Sequence, residues 1–370
     1  MSTGIYYEAL WDYLHAETDC ARVLYNARTT AHMGEVLAEK VRNEHIDAYL
    51  LAQQVRLGST PEGWLGHDET LLSAREGSRI VRDLAKDGNR KKNQFKMYVR
   101  RYNPPVYRAF AGAKLWHPAV QTLLQKYFFP EDLVAAGVEA VPSLRSGQAL
   151  AVLEARSPGR FTRAEVEVLL TECQKCYGRT GQRDVVRQRM TELAHDIQTI
   201  EQRKRGNLKL GYGRLRKDPK WRPVVKRVRA IIGCGRTLTL GITTEVGPIA
   251  RFDTGAQLAS FLGLTTSKHI SGTTLHKAKH ITKQGSPNGR YAVVKLAEYL
   301  KRKVPKYVAM YARIKGKKPP RKGHRIALVA IARDFTENVL FDMLKHERPF
   351  FKEVEDYRQY RQAHPRSKAA

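Results

Sequence analysis

The segment RAIIGCGRTLTLGITTEVG, residues 229–247, decides how the C-terminal half of the chain folds. Apolar residues lead into Gly233 and Gly235, and a new amphipathic helix is predicted to begin at Arg236. Because glycine lets the backbone turn sharply, we interpret the segment as a helix-hairpin-helix element. N–H groups at the start of the second helix can bind a phosphate, so these three residues are candidate nucleic-acid-binding residues. An ordinary corner between two helices is the alternative.

The next segment, residues 249–290, combines one more helix with a polar stretch. Asp253 is the predicted N-cap of a short helix that closes on the glycine of LASFLGL. The residues that follow, 265–283, are dense in hydroxyl and cationic side chains and are predicted to form a loop. Such side chains can simply be solvated. Between two nucleic-acid-binding helices, they can also supply a nucleophile and the positive charge that phosphate chemistry needs.

The chain is strongly basic, which predicts a polyanionic partner. Its 370 residues include 66 Lys and Arg against 36 Asp and Glu, a formal net charge of +30. The cations concentrate in three runs, residues 86–101, 201–230 and 301–325. One such run is usually a solvated helix face. Three runs in one chain indicate nucleic acid as the partner.

Several other classes of protein are excluded by composition. An apolar content of 42% argues against wholesale disorder. No stretch approaches the roughly 18 apolar residues of a membrane-spanning helix, and the opening residues MSTGIYYEAL lack the features of a signal peptide. Four cysteines do not form a disulfide framework. Cys173 and Cys176 are interpreted as apolar helix positions. These features predict a cytoplasmic, nucleoid-associated protein without a membrane partner.

The middle of the chain is predicted to be helical. Five apolar residues follow spacings of 4, 3, 4 and 3, as in the seam of a coiled coil: Val186, Met190, Leu193, Ile197 and Ile200. Over two heptads, this pattern fits an antiparallel helical hairpin within one chain or a contact with another subunit. The second interpretation predicts a homo-oligomer.

The first sixty residues have an α/β pattern with one strand candidate, ARVLYNA, and a helix from Glu44 capped by Asn43. One strand cannot make a sheet, so either further strands lie elsewhere or the N-terminus begins partway through a domain. The predicted fold is mainly α with an α/β remnant. Its predicted regions are an N-terminal domain (1–60), a basic helical and coiled-coil region (61–210), a helical C-terminal domain (211–350) and a basic tail (351–370).

An ordered series of short motifs resembles one known family. The stretches IIGCGRTLTLGITTEVGPIARF, QLASFLGLTTSKHISG, HITKQGSPNGR and GKKPPRKGHRIALVAIARDF follow one another between residues 231 and 335. This order is similar to the C-terminal domain of the insertion-sequence one-ten family of transposases, also called DEDD transposases. The resemblance implies a helical transposase domain that exchanges DNA strands during movement of an insertion sequence. It also implies guidance by a structured RNA.

The N-terminal residues resemble the RNase H-like domain of that family and depart from it at the carboxylates. MSTGIYYEAL is similar to the motif E.TG.Y, with Met1 where the family has Glu. RNEHIDA is similar to K.D..DA, with Glu44 replacing the first Asp and Asp47 matching the second. The strand with the first Asp would precede residue 1, so a truncated domain is expected. The resemblance implies Mg²⁺, with Glu44 and Asp47 as catalytic and metal-binding candidates; acids that interact with the helix dipole are the alternative.

Ser271 occupies the serine of the family's SG motif, and the resemblance implies that it is the catalytic nucleophile. Gly272 gives access, and Lys268, His269 and Lys277 could neutralise phosphate charge. Ser267 and Thr282 are competing hydroxyls, and a solvated loop serine is the remaining alternative. The same cationic stretch adds four nucleic-acid-binding candidates: Lys268, Lys277, Lys283 and Arg290.

Two other functions remain open at this point. The first is an inactive transposase remnant that binds DNA and RNA without catalysis. Met1, which stands where the family has Glu, favours this function. The second is an architectural helix-hairpin-helix protein unrelated to transposition, which the long series of motifs disfavours.

Overall fold

The computed structural model describes residues 13, 17, 44–56, 68–110, 112, 114–116, 118–137, 163–176, 182–271, 274–317, 319–353, 355, 356, 359 and 362. The chain divides into two compact units, Met1–Glu69 with Gly247–Asp253, and Thr70–Val246 with Thr254–Ala370. Asn43 and the strand candidate at 21–27 lie outside the described residues.

The described residues are mainly helical, as the sequence predicts. The helices are α1 (Glu44–Arg56), α2 (Glu69–Tyr102), α3 (Pro104–Ala109), α4 (Pro118–Lys126), α5 (Pro130–Ala136), α6 (Arg163–Gln174), α7 (Arg183–Lys217), α8 (Arg222–Ala230), α9 (Arg236–Val246), α10 (Gly255–Phe261), α11 (Pro287–Lys303), α12 (Pro305–Gly316), α13 (Pro320–Phe335) and α14 (Phe341–Lys345). Short 3₁₀-helices cover Lys114–Trp116 and Ile249–Arg251, and a π-helical turn covers Thr336–Leu340. None of these helices is both long enough and apolar enough to span a bilayer.

The first unit contains α1 and the short helix Ile249–Arg251. In α1, Leu50 is buried and Asp47 is half-buried. In the short segment, Phe252 is buried and the Arg251 guanidinium lies 4.5 Å from the centre of its ring. The described part of this unit contains one long helix and no strand, so the predicted RNase H-like remnant stays a prediction.

The second unit is built on two long antiparallel helices, α2 and α7. The Lys91 ammonium pairs with Asp196 at 2.6 Å, and Lys92 pairs with Glu201 at 2.9 Å. Near the opposite ends of the pair, Arg214 donates a hydrogen bond to Ser73. The residue numbers on the two helices therefore run in opposite directions along their contact.

The seam of α7 is covered by residues of the same chain. Val186, Met190, Leu193 and Ile197 are buried in one apolar cluster with Phe95 of α2 and residues of α3 to α6. The spacing predicts a helical hairpin or a second subunit as the partner; the observed partners are α2, about 100 residues earlier in sequence, and the short helices α3 to α6. An aromatic group closes this core, because the ring of Phe129 lies edge-on to Tyr102 and Phe128.

A second helical layer surrounds α11, which packs against α9, α12 and α13. Its buried face consists of Ala292, Val293, Leu296, Ala297 and Leu300. At the far end of this layer, the ring of Tyr307 packs edge-on against Phe335, with 6.4 Å between ring centres. Alternating small and large apolar residues let the helices approach closely.

Two local predictions were wrong, namely the N-cap of α10 and the loop at residues 265–283. The N-cap of α10 is Thr254 rather than Asp253, because the Thr254 hydroxyl accepts from the Gln257 amide, and Gln257 reciprocates as in a capping box. The polar stretch predicted as a loop forms a two-stranded antiparallel hairpin, β1 (Thr266–Ser271) and β2 (Thr274–Ile281). Its strands lack a continuous apolar alternation, so the pattern gave no strand signal.

Candidate nucleic-acid interface

The hairpin brings predicted site residues into register. Lys268 on β1 is the Cα partner of Lys277 on β2, and Ser271 is the partner of Thr274. Ser271 is therefore the last residue of β1, at the tip of the hairpin. The backbone thus places the candidate nucleophile at the tip of the hairpin, three residues beyond the cross-strand pair of Lys268 and Lys277.

Backbone hydrogen bonds close the base of the hairpin. The Thr282 amide donates to the Thr265 carbonyl at 2.8 Å, and the Ser286 amide donates to Phe261 at 3.0 Å. Gly285 has φ +94°, and a Cβ there would lie 1.9 Å from the Phe261 carbonyl oxygen. Only glycine fits this crossing without moving the backbone.

Arg290 and Lys283 contribute to the same base. The Arg290 guanidinium donates to the carbonyls of Leu262 at 3.2 Å and Lys283 at 3.1 Å. Burial, followed by the charge of Arg82, lowers the pKa of Arg290. Lys283 is exposed and has a left-handed backbone with φ 55°. Of these two candidates, Lys283 presents its ammonium to solvent, while Arg290 bonds the two strands' flanking segments together.

Glu245 on α9 is a buried carboxylate that sequence reasoning missed. Its side chain has 0% exposure and is paired with Arg75 at 3.3 Å and Arg79 at 3.1 Å. The Ser286 hydroxyl donates to it at 2.7 Å. Burial alone would raise the pKa of Glu245, but the two guanidiniums and the hydroxyl outweigh burial and hold the pKa below its ordinary range.

Three arginines of α2 form a stripe toward this region. Arg75, Arg79 and Arg82 are spaced by four and three residues, so they share one helix face. Arg82 donates to the Asn288 side chain, and its guanidinium lies 4.9 Å from the centre of the Tyr291 ring. The spacing of these arginines and the lone acid of α9 were the available sequence signals.

The turn between α8 and α9 is flanked by cations and aromatic rings. Gly233 has φ +80° and lies so close to Tyr299 that a Cβ would be 2.4 Å from the Tyr299 Cβ. The guanidinium of Arg236 lies 5.9 Å from the centre of the Tyr212 ring, and that of Arg302 lies 5.9 Å from Tyr299. Arg229 fixes the turn by donating to the Cys234 carbonyl at 2.7 Å.

The second and third cationic runs place many exposed cations on helices of the second unit. Exposed cations on α7 and α8 include Arg203, Arg205, Lys209, Arg216, Lys217, Arg222 and Lys226. Exposed cations on α12 are Lys306, Arg313 and Lys315. A surface of this kind attracts a phosphate backbone without reading its sequence.

The carboxylate candidates and the cysteines lie outside the hairpin. Glu44 and Asp47 lie three positions apart on α1 in the first unit, whereas Ser271 belongs to the second. Within the described residues, no group of three or more His, Cys, Asp or Glu could hold a metal ion. Cys173 is buried in the apolar cluster, and burial raises the pKa of its thiol to about 12, which keeps it protonated.

Comparison with known proteins supports the resemblance in the C-terminal half. Residues 225–312 match a family described as "Transposase IS116/IS110/IS902 family". The chain is also 26% identical over 263 residues to the "Insertion element IS110 uncharacterized 43.6 kDa protein" of Streptomyces coelicolor. That match covers 71% of this chain and 60% of the relative's length. From α8 into α12, the chain thus carries a segment similar to an IS116/IS110/IS902 family transposase domain, and it is a distant homologue of an IS110 protein.

Proposed function

We propose that this protein is an insertion-sequence transposase that exchanges DNA strands, with Ser271 as the nucleophile. The observation that carries the proposal is the family match over residues 225–312, a segment that contains the whole hairpin and Ser271. Ser271 ends β1 at the tip of the hairpin, a backbone position at which a serine could meet a DNA backbone.

The reaction is a transesterification at a phosphodiester. The Ser271 oxygen attacks phosphorus, a new P–O bond forms, and one P–O bond to deoxyribose breaks. The serine proton leaves to a base, and the departing deoxyribose oxygen takes up a proton. Attack by another deoxyribose hydroxyl on the phosphoserine reverses these changes and joins new strands. Lys268 and Lys277, opposite each other in the hairpin, would offset charge on the phosphate in the transition state.

The nucleic-acid surface consists of the turn at Gly233 and Gly235, with Arg236, and the exposed cations of α7, α8 and α12. It suits the element's DNA, and a structured guide RNA would use the same electrostatics. A homo-oligomer and a nucleoid-associated location belong to this proposal. The helix-hairpin-helix interpretation of α8 and α9 belongs to it as well.

A catalytic Mg²⁺ fits the described residues only in part. Glu44 and Asp47 offer carboxylates on one helix, but Mg²⁺ requires near-octahedral oxygen coordination, and the described residues contain no group of three or more His, Cys, Asp or Glu that could hold a metal ion. Bound Mg²⁺ would help to stabilise phosphoryl transfer.

A covalent-adduct assay tests the proposal. Purified protein, the element's RNA, Mg²⁺ and labelled element-end DNA should give a DNA-protein adduct that survives denaturation. Ser271→Ala should abolish the adduct. Ser267→Ala, which removes a hydroxyl from the same strand, is the matched control and should retain it. An adduct that persists in Ser271→Ala would remove the serine mechanism.

The alternative function is nucleic-acid binding without strand exchange. The observation that favours it is a departure from the family's motifs at two positions. Met1 stands in place of Glu, and Glu44 stands in place of Asp. This alternative predicts salt-sensitive binding of DNA and RNA with no adduct in any variant. The adduct assay therefore separates the two functions.

A further inference from the structure

We propose that Glu245 is a positioning residue, which holds the base of the hairpin through Ser286 and so fixes where the hairpin presents Ser271. This inference rests on the proposed function, because it assigns a role in the reaction of Ser271. It concerns a buried group that the serine chemistry itself does not use.

Glu245 is a carboxylate in a buried part of α9. Glu245 lies in α9, where its neighbours Thr244 and Val246 are also buried. A buried ion pair is commonly no more stable than apolar residues of the same volume. Stability alone is therefore a weak reason for an acid here, and the specific arrangement of its partners is the stronger one.

Ser286 links Glu245 to the base of the hairpin. The Ser286 hydroxyl donates to Glu245 at 2.7 Å and accepts from the Gly289 amide at 3.0 Å, so it also caps α11. The Ser286 amide bonds Phe261 of α10. One serine thus connects α9, α10 and α11 at the point where the chain has just left β2.

Close packing around Gly289 leaves the hydrogen bond between Ser286 and Glu245 little freedom to move. A Cβ on Gly289 would lie 3.2 Å from the Glu245 Cβ and 2.5 Å from a Leu262 methyl. Leu262 is itself buried and receives a bond from Arg290 on its carbonyl. A side chain at position 289 would therefore not fit, because the first turn of α11 packs closely against Leu262, Glu245 and Ser286.

On its other side, the Glu245 carboxylate is anchored by two arginines of α2. Arg75 and Arg79 belong to α2, which is fixed along its length against α7. Glu245 therefore connects the hairpin base to the most extended helical pair of the unit. Loss of the carboxylate or of the serine hydroxyl would loosen the base without removing any proposed nucleic-acid contact.

The experiment compares Ser286→Ala and Glu245→Gln with Glu298→Gln. Glu298 is the matched control: it is a carboxylate of the same unit, paired with Lys301 at 2.7 Å and away from the hairpin base. The first readout is hydrogen–deuterium exchange of residues 262–285 in the free protein. The second is the rate of adduct formation at saturating DNA, measured together with DNA affinity.

Ser286→Ala should increase exchange in the hairpin and leave exchange in α7 unchanged, because opening is local. Its adduct rate at saturating DNA should fall roughly 10- to 100-fold, the order expected for a misplaced reacting group, while DNA affinity stays within about twofold. Ser286→Thr, which keeps the hydroxyl, should restore most of the rate. Glu298→Gln should behave as wild type in both readouts.

Unchanged hairpin exchange in both Ser286→Ala and Glu245→Gln would overturn the inference. So would a loss of affinity that alone accounts for the lower adduct formation. If Glu245→Gln does not fold, Ser286→Ala decides the result. If the wild type forms no adduct, the proposed function fails, and the exchange measurement still decides whether Glu245 and Ser286 hold the hairpin.

Discussion

Two segments of α2 use their cations in different ways. In the segment 75–79, Arg75 and Arg79 pair with Glu245, whose side chain is 0% exposed. In the segment 83–86, Lys86 pairs with Asp83 three residues earlier, and the exposures of these side chains are 60% and 68%. Both segments look like a basic helix face in the sequence. The burial of the partner, which comes from another helix, decides what each cation contributes.

The physical reason is the surrounding dielectric. Exposed pairs are screened by water and salt and contribute little, about 0–1 kcal/mol. Removing one partner of a buried pair leaves a charge without compensation and costs about 3–5 kcal/mol. The segment 75–79 should therefore tolerate charge changes poorly, and the segment 83–86 should tolerate them well.

The largest effect is expected for Glu245→Ala. It leaves Arg75 and Arg79 without a carboxylate, but these arginines are 22% and 40% exposed and so partly hydrated. We therefore expect a loss of about 2–3 kcal/mol in the free energy of unfolding, below the value for a fully buried pair. Urea unfolding followed by circular dichroism measures it. Asp83→Ala, in the segment 83–86, is the control. Equal effects of the two substitutions would abolish the distinction between the two segments.

A smaller effect is expected for Gly285→Ala, which tests the backbone of the hairpin base rather than its charge. The new Cβ would meet the Phe261 carbonyl oxygen, and φ is +94°. Strain of this kind costs about 1–3 kcal/mol. Gly206→Ala is the matched control, because that glycine is in α7 with nothing within 4 Å of its Cβ position. There we expect a gain of up to about 1 kcal/mol from helix propensity.

A loss of stability in Gly206→Ala similar to that in Gly285→Ala would argue against strain at the hairpin base. Both losses would then reflect a general effect of replacing glycine by alanine. The two variants are compared by thermal unfolding in one buffer.

A pH series tests the charge of Glu245 directly. Its pKa in the folded protein lies below the ordinary value of 4.5, so its contribution is fully present above pH 4.5 and is lost as the pH falls through the lowered pKa. A protonated carboxyl resembles the amide of Glu245→Gln. The difference in unfolding free energy between wild type and Glu245→Gln should therefore narrow below pH 4.5. A constant difference down to pH 3 would mean that the charge contributes nothing.

The sequence predicted the helical class and the C-terminal resemblance, because both depend on local patterns and ordered motifs. It did not reveal the partner of the α7 seam, since the spacing of Val186 and Met190 states that a face is apolar but not what covers it. The hairpin was missed because its strands are polar. Glu245 was missed because a single acid in a helix has no periodicity. Its role depends on Arg75 and Ser286, which lie 170 and 41 residues away along the chain.

The smallest effect is expected in the exposed segment 83–86 of α2. Asp83→Asn removes the partner of Lys86 but leaves both side chains in water, where the ammonium is well hydrated. Helix pairs of this kind contribute about 0.3–0.5 kcal/mol, so the midpoint of urea unfolding should hardly move, and less so at 0.5 M salt because the charges are screened. Hydrogen bonding by Lys86 lowers the pKa of Asp83, which shows a local interaction without making it a large one. A loss above about 1 kcal/mol would show that an exposed pair on this helix can match a pair with a buried acid, and exposure would then no longer explain the difference between the two segments.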